Sequence, residues 1–480
     1  MSSSKVRSSK TAERAAKALS REGLVVERDQ DLIRVRSSSS PHARAAEVLL
    51  APGDPLDGKA LKQLANFASV HHPAGGEVRQ AFATPDFHPG SAVPVGCVLA
   101  TSENLVIPGA IGTDIYCGMR LHVADLSADE LMARREEWVD LVKGDLLLGT
   151  RDLPMSMPQV RAMFRGGPMA WLEASKARPL GMLSRADHRQ LERELERSFG
   201  LGSSDGDERY APQEMLPERD VVRDCYMGTI GGGNHFVEIQ VVEEILDGRR
   251  AFEWGVRKNQ IAVMVHSGSR RVGVVVGSTW MDHAREKWPG DVAHPQNGIF
   301  ALHGEAAQEY ITAMNTAANY AAVNRLLLAE MVRDRLRQVF SRELAMPLVF
   351  DVPHNTITCE NDSFVHRKGA TPAYAEQPVL IPGSMGQSSF LMVGHGNERF
   401  LRSASHGAGR KHSRGRMHHM AKRGEDMGLA GVECITLKEE RIVQEAPAAY
   451  KEIGPVVDVQ AKVGIATPVA RMRPLLTFKG

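Results

Sequence analysis

Seven short clusters in this 480-residue chain place reactive polar side chains at the ends of apolar runs, most of them beside glycine. They are Pro85-Asp86-Phe87-His88-Pro89-Gly90, Gly112-Thr113-Asp114-Ile115-Tyr116-Cys117-Gly118-Met119 and Gly231-Gly232-Gly233-Asn234-His235-Phe236-Val237-Glu238. Then follow His266-Ser267-Gly268-Ser269-Arg270, His354-Asn355, Pro382-Gly383-Ser384-Met385-Gly386 and Ser405-His406-Gly407-Ala408-Gly409-Arg410. Loops at strand ends commonly display catalytic groups, and glycine there lets the backbone approach a ligand. Two chemistries suggest themselves. Asp114 and Cys117 lie three residues apart in a turn, so a carboxylate and a thiolate can converge on one ion. His235, His266 and His354 each sit at or just past a strand-like run. Such an O/S/N donor set suits Zn, Fe or Mn better than Mg or Ca, which prefer oxygen alone. Taken singly, a strand-end histidine reads first as a hydrogen-bonded structural residue and Cys117 as a small buried hydrophobe. A metal centre requires the five to meet in space.

The second chemistry is phosphate handling. Gly231-Gly232-Gly233 before Asn234, the Pro382 to Gly386 turn and the glycines after His406 can each present backbone N–H groups to anionic oxygens. Neither a Walker loop nor a dinucleotide fingerprint is present. A neutral imidazole is a competent nucleophile toward phosphorus, and the glycines after His406 leave room for a phosphate to reach the ring. Around it run Arg402, Arg410, Lys411, Arg414, Arg416, Lys422 and Arg423, interleaved with His412, His418 and His419. That run is either a solvated face or a local groove for an RNA backbone. Net charge is only +1, so any nucleic-acid site is a local patch.

The elements positioning these clusters are mixed. Strands are expected over residues 93–100, 104–107, 261–266 and 347–352, and helices over 128–143, 185–199 and 305–344. Strand and helix do not alternate regularly, so the expected class is α+β: a single large mixed domain of β-sheets with surrounding helices and a helical insertion at about 128–215. Residues 1–45, rich in Ser, Arg and Lys, read as a flexible N-terminal extension with a short helix over 11–21; the domain proper runs 46–480. Five scattered cysteines argue against a disulfide framework. Without an apolar leader or spanning run, a cytoplasmic location and no membrane association are expected.

These clusters, in this order, resemble the RNA-splicing ligase family RtcB from roughly residue 50 to the C-terminus. Residues 85–90 look like its Asp-x-His-x-Gly segment and 112–119 like its Asp-Ile-Gly-Cys-Gly-Met motif; Val365-His366-Arg367-Lys368-Gly369-Ala370-Thr371 and the ending through Lys479-Gly480 also follow it. The resemblance implies two Mn²⁺ ions held by Asp114, Cys117, His235, His266 and His354, with Cys117 suited to bridge. It implies a covalent guanylate formed on His406 from GTP. Asn234, Glu238, His354, Asn355, Pro382, Gly383, Ser384, Met385, Ser389, Gly407, Ala408, Gly409 and Lys479 would surround the nucleotide, with Glu238 on the guanine edge and Lys479 on the base. The implied substrates are RNA ends, not DNA: a 2′,3′-cyclic phosphate or 3′-phosphate joined to a 5′-hydroxyl through an activated RNA 3′-end, in tRNA splicing or RNA repair. The alternatives are a manganese-dependent cyclic phosphoesterase lacking ligation and a non-catalytic RNA-binding relative. Three departures stand out. Tyr116 occupies a position where the family motif has Gly, so its ring would crowd or line the metal loop. Arg271-Val272 replaces Gly and Leu after Arg270, and Gly90-Ser91-Ala92-Val93-Pro94 differs from the common form.

Overall fold

The computed structural model describes residues 19–29, 32–38, 44–54 and 57–480. Of the helix expected over 11–21, residues 11–18 lie outside the described residues. One sheet runs, in spatial order, Leu24–Asp29, Leu32–Ser37, Ala46–Leu49, Val78–His88, Val95–Ser102, Ser363–Lys368 and Asn355–Glu360. It therefore begins inside the segment read as an extension. Ile33 and Val35 are buried there while Arg34 and Arg36 are exposed, the two-residue period of a half-buried strand. That alternation is short and set in Ser- and Arg-rich surroundings, which is why composition alone hid it.

The second sheet runs Leu348–Pro353, Gly118–Ser127, Gln260–Ser267, Phe236–Ile245, Ala466–Lys479, Ser389–Gly394 and Pro378–Ile381. Its Gln260–Ser267 strand is buried throughout because both faces are covered. Ile261, Val263 and Val265 pack into the core shared with the helix Glu305–Val339, whereas Ala262 and Met264 face a second core with Leu380 and Leu391. The pairs within this sheet are antiparallel, apart from the short Cys434–Thr436 strand beside its Ala466–Lys479 member.

The helix Glu305–Val339 is continuous and its middle is buried on all sides, as expected for a core element. Residues 128–143, expected as one helix, break at Arg134 into Ala128–Ala133 and Arg135–Leu147; a Ser127/Glu130 capping box starts the first. Met157–Ala177 is interrupted by non-helical backbone at Gly166 and Gly167 before Pro168, and His188–Leu195 begins at the capping carboxylate of Asp187. The fold is α+β. Among the described residues no helix is long and apolar enough to cross a membrane.

Candidate active site

Strand register assembles the metal-type donors. His266 pairs with Phe236 on one side and Met119 on the other, and Pro353 pairs with Gly118. Four adjacent strands thus end together, and the residues just beyond or at those ends are His235, His266, Cys117 and His354. Cys117 Sγ lies 3.1 Å from His235 Nε2 and 3.2 Å from His266 Nε2, and His266 Nε2 lies 3.2 Å from His354 Nε2. Asp114 closes the set, its Oδ2 2.9 Å from His235 Nε2. The donors form two groups, Cys117–His266–His354 and Asp114–Cys117–His235, each with ligand atoms within 4.8 Å of one another and sharing the sulfur. Burial keeps His266 and His354 well below the ordinary imidazole range, the neutral form a metal needs. Burial, then the neighbouring Asp114, pushes the Cys117 thiol up, so a thiolate there requires a compensating cation. His235 Nδ1 is buried without a partner, and His266 Nδ1 lies 3.2 Å from the Asn234 carbonyl, which orients Nε2 toward the cluster. The residues present fit borderline divalent cations, with the Cys117 sulfur common to both donor groups.

His406 adjoins this cluster, its ring 4.8 Å from that of His354. Its Nδ1 donates to Asp86 Oδ2 at 2.6 Å, and the same oxygen accepts the His406 backbone N–H at 3.2 Å. In the neutral ring, with the proton on Nδ1, the lone pair lies on Nε2. Burial alone would raise the Asp86 carboxyl, but His406 and the Thr84 hydroxyl, which donates to Oδ1 at 2.5 Å, hold it below the usual range. Asp86 projects because the ladder slips: Ala83 pairs with Cys97 but His88 with Val95, leaving four residues opposite Gly96. Gly96, at φ +79°, fits only as glycine, since a Cβ there would meet Phe87 N at 2.9 Å. Gly409, at φ +77°, lies so close to the Asp86 carbonyl that a side chain would displace the dyad.

Beside His406 opens a cavity of about 450 Å³. Asn234, Glu238, Pro382, Gly383, Ser384, Met385, Gly407, Ala408, Gly409 and Lys479 all line it. Glu238 and Lys479 form its polar end. Burial raises the Glu238 carboxyl, whose oxygens accept from Thr477 and Gln240; burial lowers Lys479, whose ammonium donates to the His235 carbonyl at 3.2 Å. Lys479 is fixed because Ala466–Lys479 is an inner strand. Two expected nucleotide contacts stand behind the wall instead. Ser389 Oγ accepts from Gly383 N and from Gln240, and Asn355 braces the Gly112–Met119 turn, donating to the Asp114 carbonyl and accepting from Gly369 N. His354 belongs to the donor cluster.

Tyr116 neither crowds nor lines the cavity. Its backbone has φ +56°, the left-handed region that glycine adopts freely, and its ring is buried in the core beneath the Arg325 guanidinium. Arg270 also has positive φ; Nε donates to Thr229 at 3.0 Å, and the side chain runs over Gly231. The basic run divides. Arg410 and Arg414 bind the buried Glu445 at the cavity rim, whereas Lys411, Lys422 and Arg423 are exposed. Asp86, Glu445 and Tyr450 were not singled out individually from sequence. Asp86 lay within a flagged cluster, but its partner is 320 positions away.

A family model described as tRNA-splicing ligase RtcB matches residues 63–480. The chain is 32% identical over 459 residues to a tRNA-splicing ligase RtcB of Thermococcus kodakarensis, covering 88% of this chain and 91% of that one. It is likewise 32% identical to such ligases of Pyrobaculum aerophilum, covering 84% and 88% of the two chains, and of Aeropyrum pernix, covering 88% and 92%.

Proposed function

The chain belongs to the RtcB family of tRNA-splicing ligases, and from that premise we propose that it is a GTP- and Mn²⁺-dependent ligase joining RNA 3′-phosphate or 2′,3′-cyclic phosphate ends to 5′-hydroxyl ends. The observation that carries this reading is the Asp86–His406 pair, set between the shared-sulfur donor cluster and a nucleotide-sized cavity. Asp86 keeps the proton on Nδ1, so Nε2 is the attacking atom. It forms a bond to the α-phosphorus of GTP as the bond to pyrophosphate breaks. For a 2′,3′-cyclic end, water first attacks the phosphorus and the P–O2′ bond breaks, leaving a 3′-phosphate and a 2′-hydroxyl. GMP then leaves Nε2 for an RNA 3′-phosphate oxygen, and a 5′-hydroxyl attacks the RNA phosphorus and expels GMP. Through these substitutions Asp86 balances the positive charge of the imidazole ring. Glu238 accepts the guanine N–H groups, while backbone N–H groups of residues 407–409 face the phosphates. Asp114, Cys117, His235, His266 and His354 would hold the two Mn²⁺ ions, which supply charge neutralisation at the reacting oxygens.

The test is a joining assay with a 5′-hydroxyl RNA and a 2′,3′-cyclic phosphate RNA. Joined product should require both GTP and Mn²⁺ and vanish with His406→Ala. Opening of the cyclic end without joining, unaltered in His406→Ala, would instead identify a cyclic phosphoesterase.

A further inference from the structure

Behind the donor cluster lies a buried charge network that the proposed chemistry does not use. Arg120, Arg325 and Arg333 face Glu194, Glu330 and Asp351, all almost fully buried. The three cations and three carboxylates balance, as burial demands. Two of these pairs, Arg120–Glu194 and Arg325–Asp351, tie helical segments to the sheet. Arg325 does something further. Its Nη1 donates to the Tyr116 carbonyl at 2.6 Å and the Ser267 carbonyl at 3.2 Å, while Nη2 and Nε reach the Asp351 carboxylate at 2.7 and 3.2 Å. Tyr116 precedes Cys117, Ser267 follows His266, and Asp351 lies three residues before His354. One planar group thus touches the three segments carrying one complete donor group, Cys117–His266–His354. The adjacent Asn324 adds bonds from the same helix to Ser267 Oγ and the Gly268 carbonyl.

We infer that Arg325, with Asp351, is a positioning residue that pre-organises the Cys117–His266–His354 group for its cation; this rests on the metal-binding reading above. The chemistry requires arginine. Its donors spread in a rigid fork and meet two carbonyls and a carboxylate together, which a lysine ammonium on a flexible stem cannot do at these separations. The other donor group is held less completely: among the described residues, Arg325 reaches the turn carrying Asp114 and Cys117 only through the Tyr116 carbonyl and makes no bond to the segment carrying His235. Loss of the fork therefore has an unequal effect on the two sites. A purely structural role would weaken both alike.

The experiment is Mn²⁺ titration of the metal-free full-length protein by calorimetry in two single-site backgrounds. His235→Ala leaves Cys117–His266–His354, and His354→Ala leaves Asp114–Cys117–His235. Adding Arg325→Lys should weaken Mn²⁺ binding about tenfold or more in the first background and under about threefold in the second. Arg333→Lys, altering the same network at Glu194 and Glu330 without touching a donor segment, should leave both within about threefold. Should Arg325→Lys fail to fold, Asp351→Asn is read in the same way. Equal losses in both backgrounds, or none in the first, overturn the inference while leaving metal binding intact. Absence of Mn²⁺ binding by the unsubstituted protein overturns the metal reading as well.

Discussion

Replacing Asp86 by Asn tests whether the carboxylate beside His406 acts through charge. The amide is nearly isosteric, and Thr84 can turn its hydroxyl to donate to the Gly96 carbonyl, already 3.1 Å away, while accepting from the new amide N–H. The amide oxygen can then still accept from His406 Nδ1, so geometry and tautomer survive and only the charge is lost. When Nε2 bonds to phosphorus, the ring with its Nδ1 proton becomes cationic. With O and N 2.6 Å apart, the charge centres are roughly 4 Å apart, and an effective dielectric near 20 makes that attraction about 4 kcal/mol. Retaining the neutral hydrogen bond recovers about 1 kcal/mol, leaving a loss of about 3 kcal/mol, or roughly a hundredfold in rate. The assay is rapid-quench incorporation of labelled GMP under single-turnover conditions. Stability supplies an independent check. Because the Asp86 pKa is lowered on folding, its contribution is present above the unfolded carboxylate pKa and lost as pH falls through the folded one. Asp86→Asn should therefore lower the unfolding midpoint at neutral pH, with the difference shrinking in acid. A GMP transfer rate within threefold of the parent, in a folded variant, would refute the charge argument.

Glu238 has the opposite sign. Burial raises its pKa, so its contribution to stability is lost as pH rises from the unfolded carboxylate pKa through the folded one. Glu238→Gln should gain stability relative to the parent as pH rises, yet bind GTP more weakly; chemical denaturation across a pH series checks the first and equilibrium titration the second, and a pH-independent stability difference refutes the assignment. Tyr116→Gly relieves about 1 kcal/mol of left-handed strain but removes a buried ring worth about 3–5 kcal/mol, so urea unfolding should show a net loss of roughly 2–4 kcal/mol. A stabilised Tyr116→Gly variant would show that the ring is not a packing element. Chelation of bound metal should lower the unfolding free energy by about 3 kcal/mol for each ion relative to protein held at a hundredfold excess over Kd, and Cys117→Ala, which removes the atom shared by both groups, should abolish that difference. An equal chelation effect in Cys117→Ala would place the metal elsewhere.

The donor residues were legible because each ends a run whose apolar character marks a strand, and strand ends gather where register allows. Register itself was not legible. Nothing in the residues near Cys117 announces that Gly118 pairs with both Ser267 and Pro353, the pairings that bring His266 and His354 to the sulfur. Asp86 was visible as a polar residue in an apolar run, but its role depends on a ladder slip opposite Gly96 and on a partner hundreds of positions away. Tyr116 looked like an obstacle because a motif gives residue types, not directions; its positive φ turns the ring into the core. The hairpin at residues 24–37 was obscured by its composition. Arg325 lay in a helix that periodicity identified, yet a guanidinium reaching two distant carbonyls leaves no local trace.

The central claim is that His406 Nε2 carries GMP. Incubation of the full-length protein with Mn²⁺ and GTP labelled at the α-phosphate, followed by mapping of the acid-labile, base-stable label to a peptide, tests it most directly. The account predicts one labelled peptide containing His406, absent when Mn²⁺ is withheld and absent from His406→Ala. A label on any other residue, or a label that persists in His406→Ala, would contradict it.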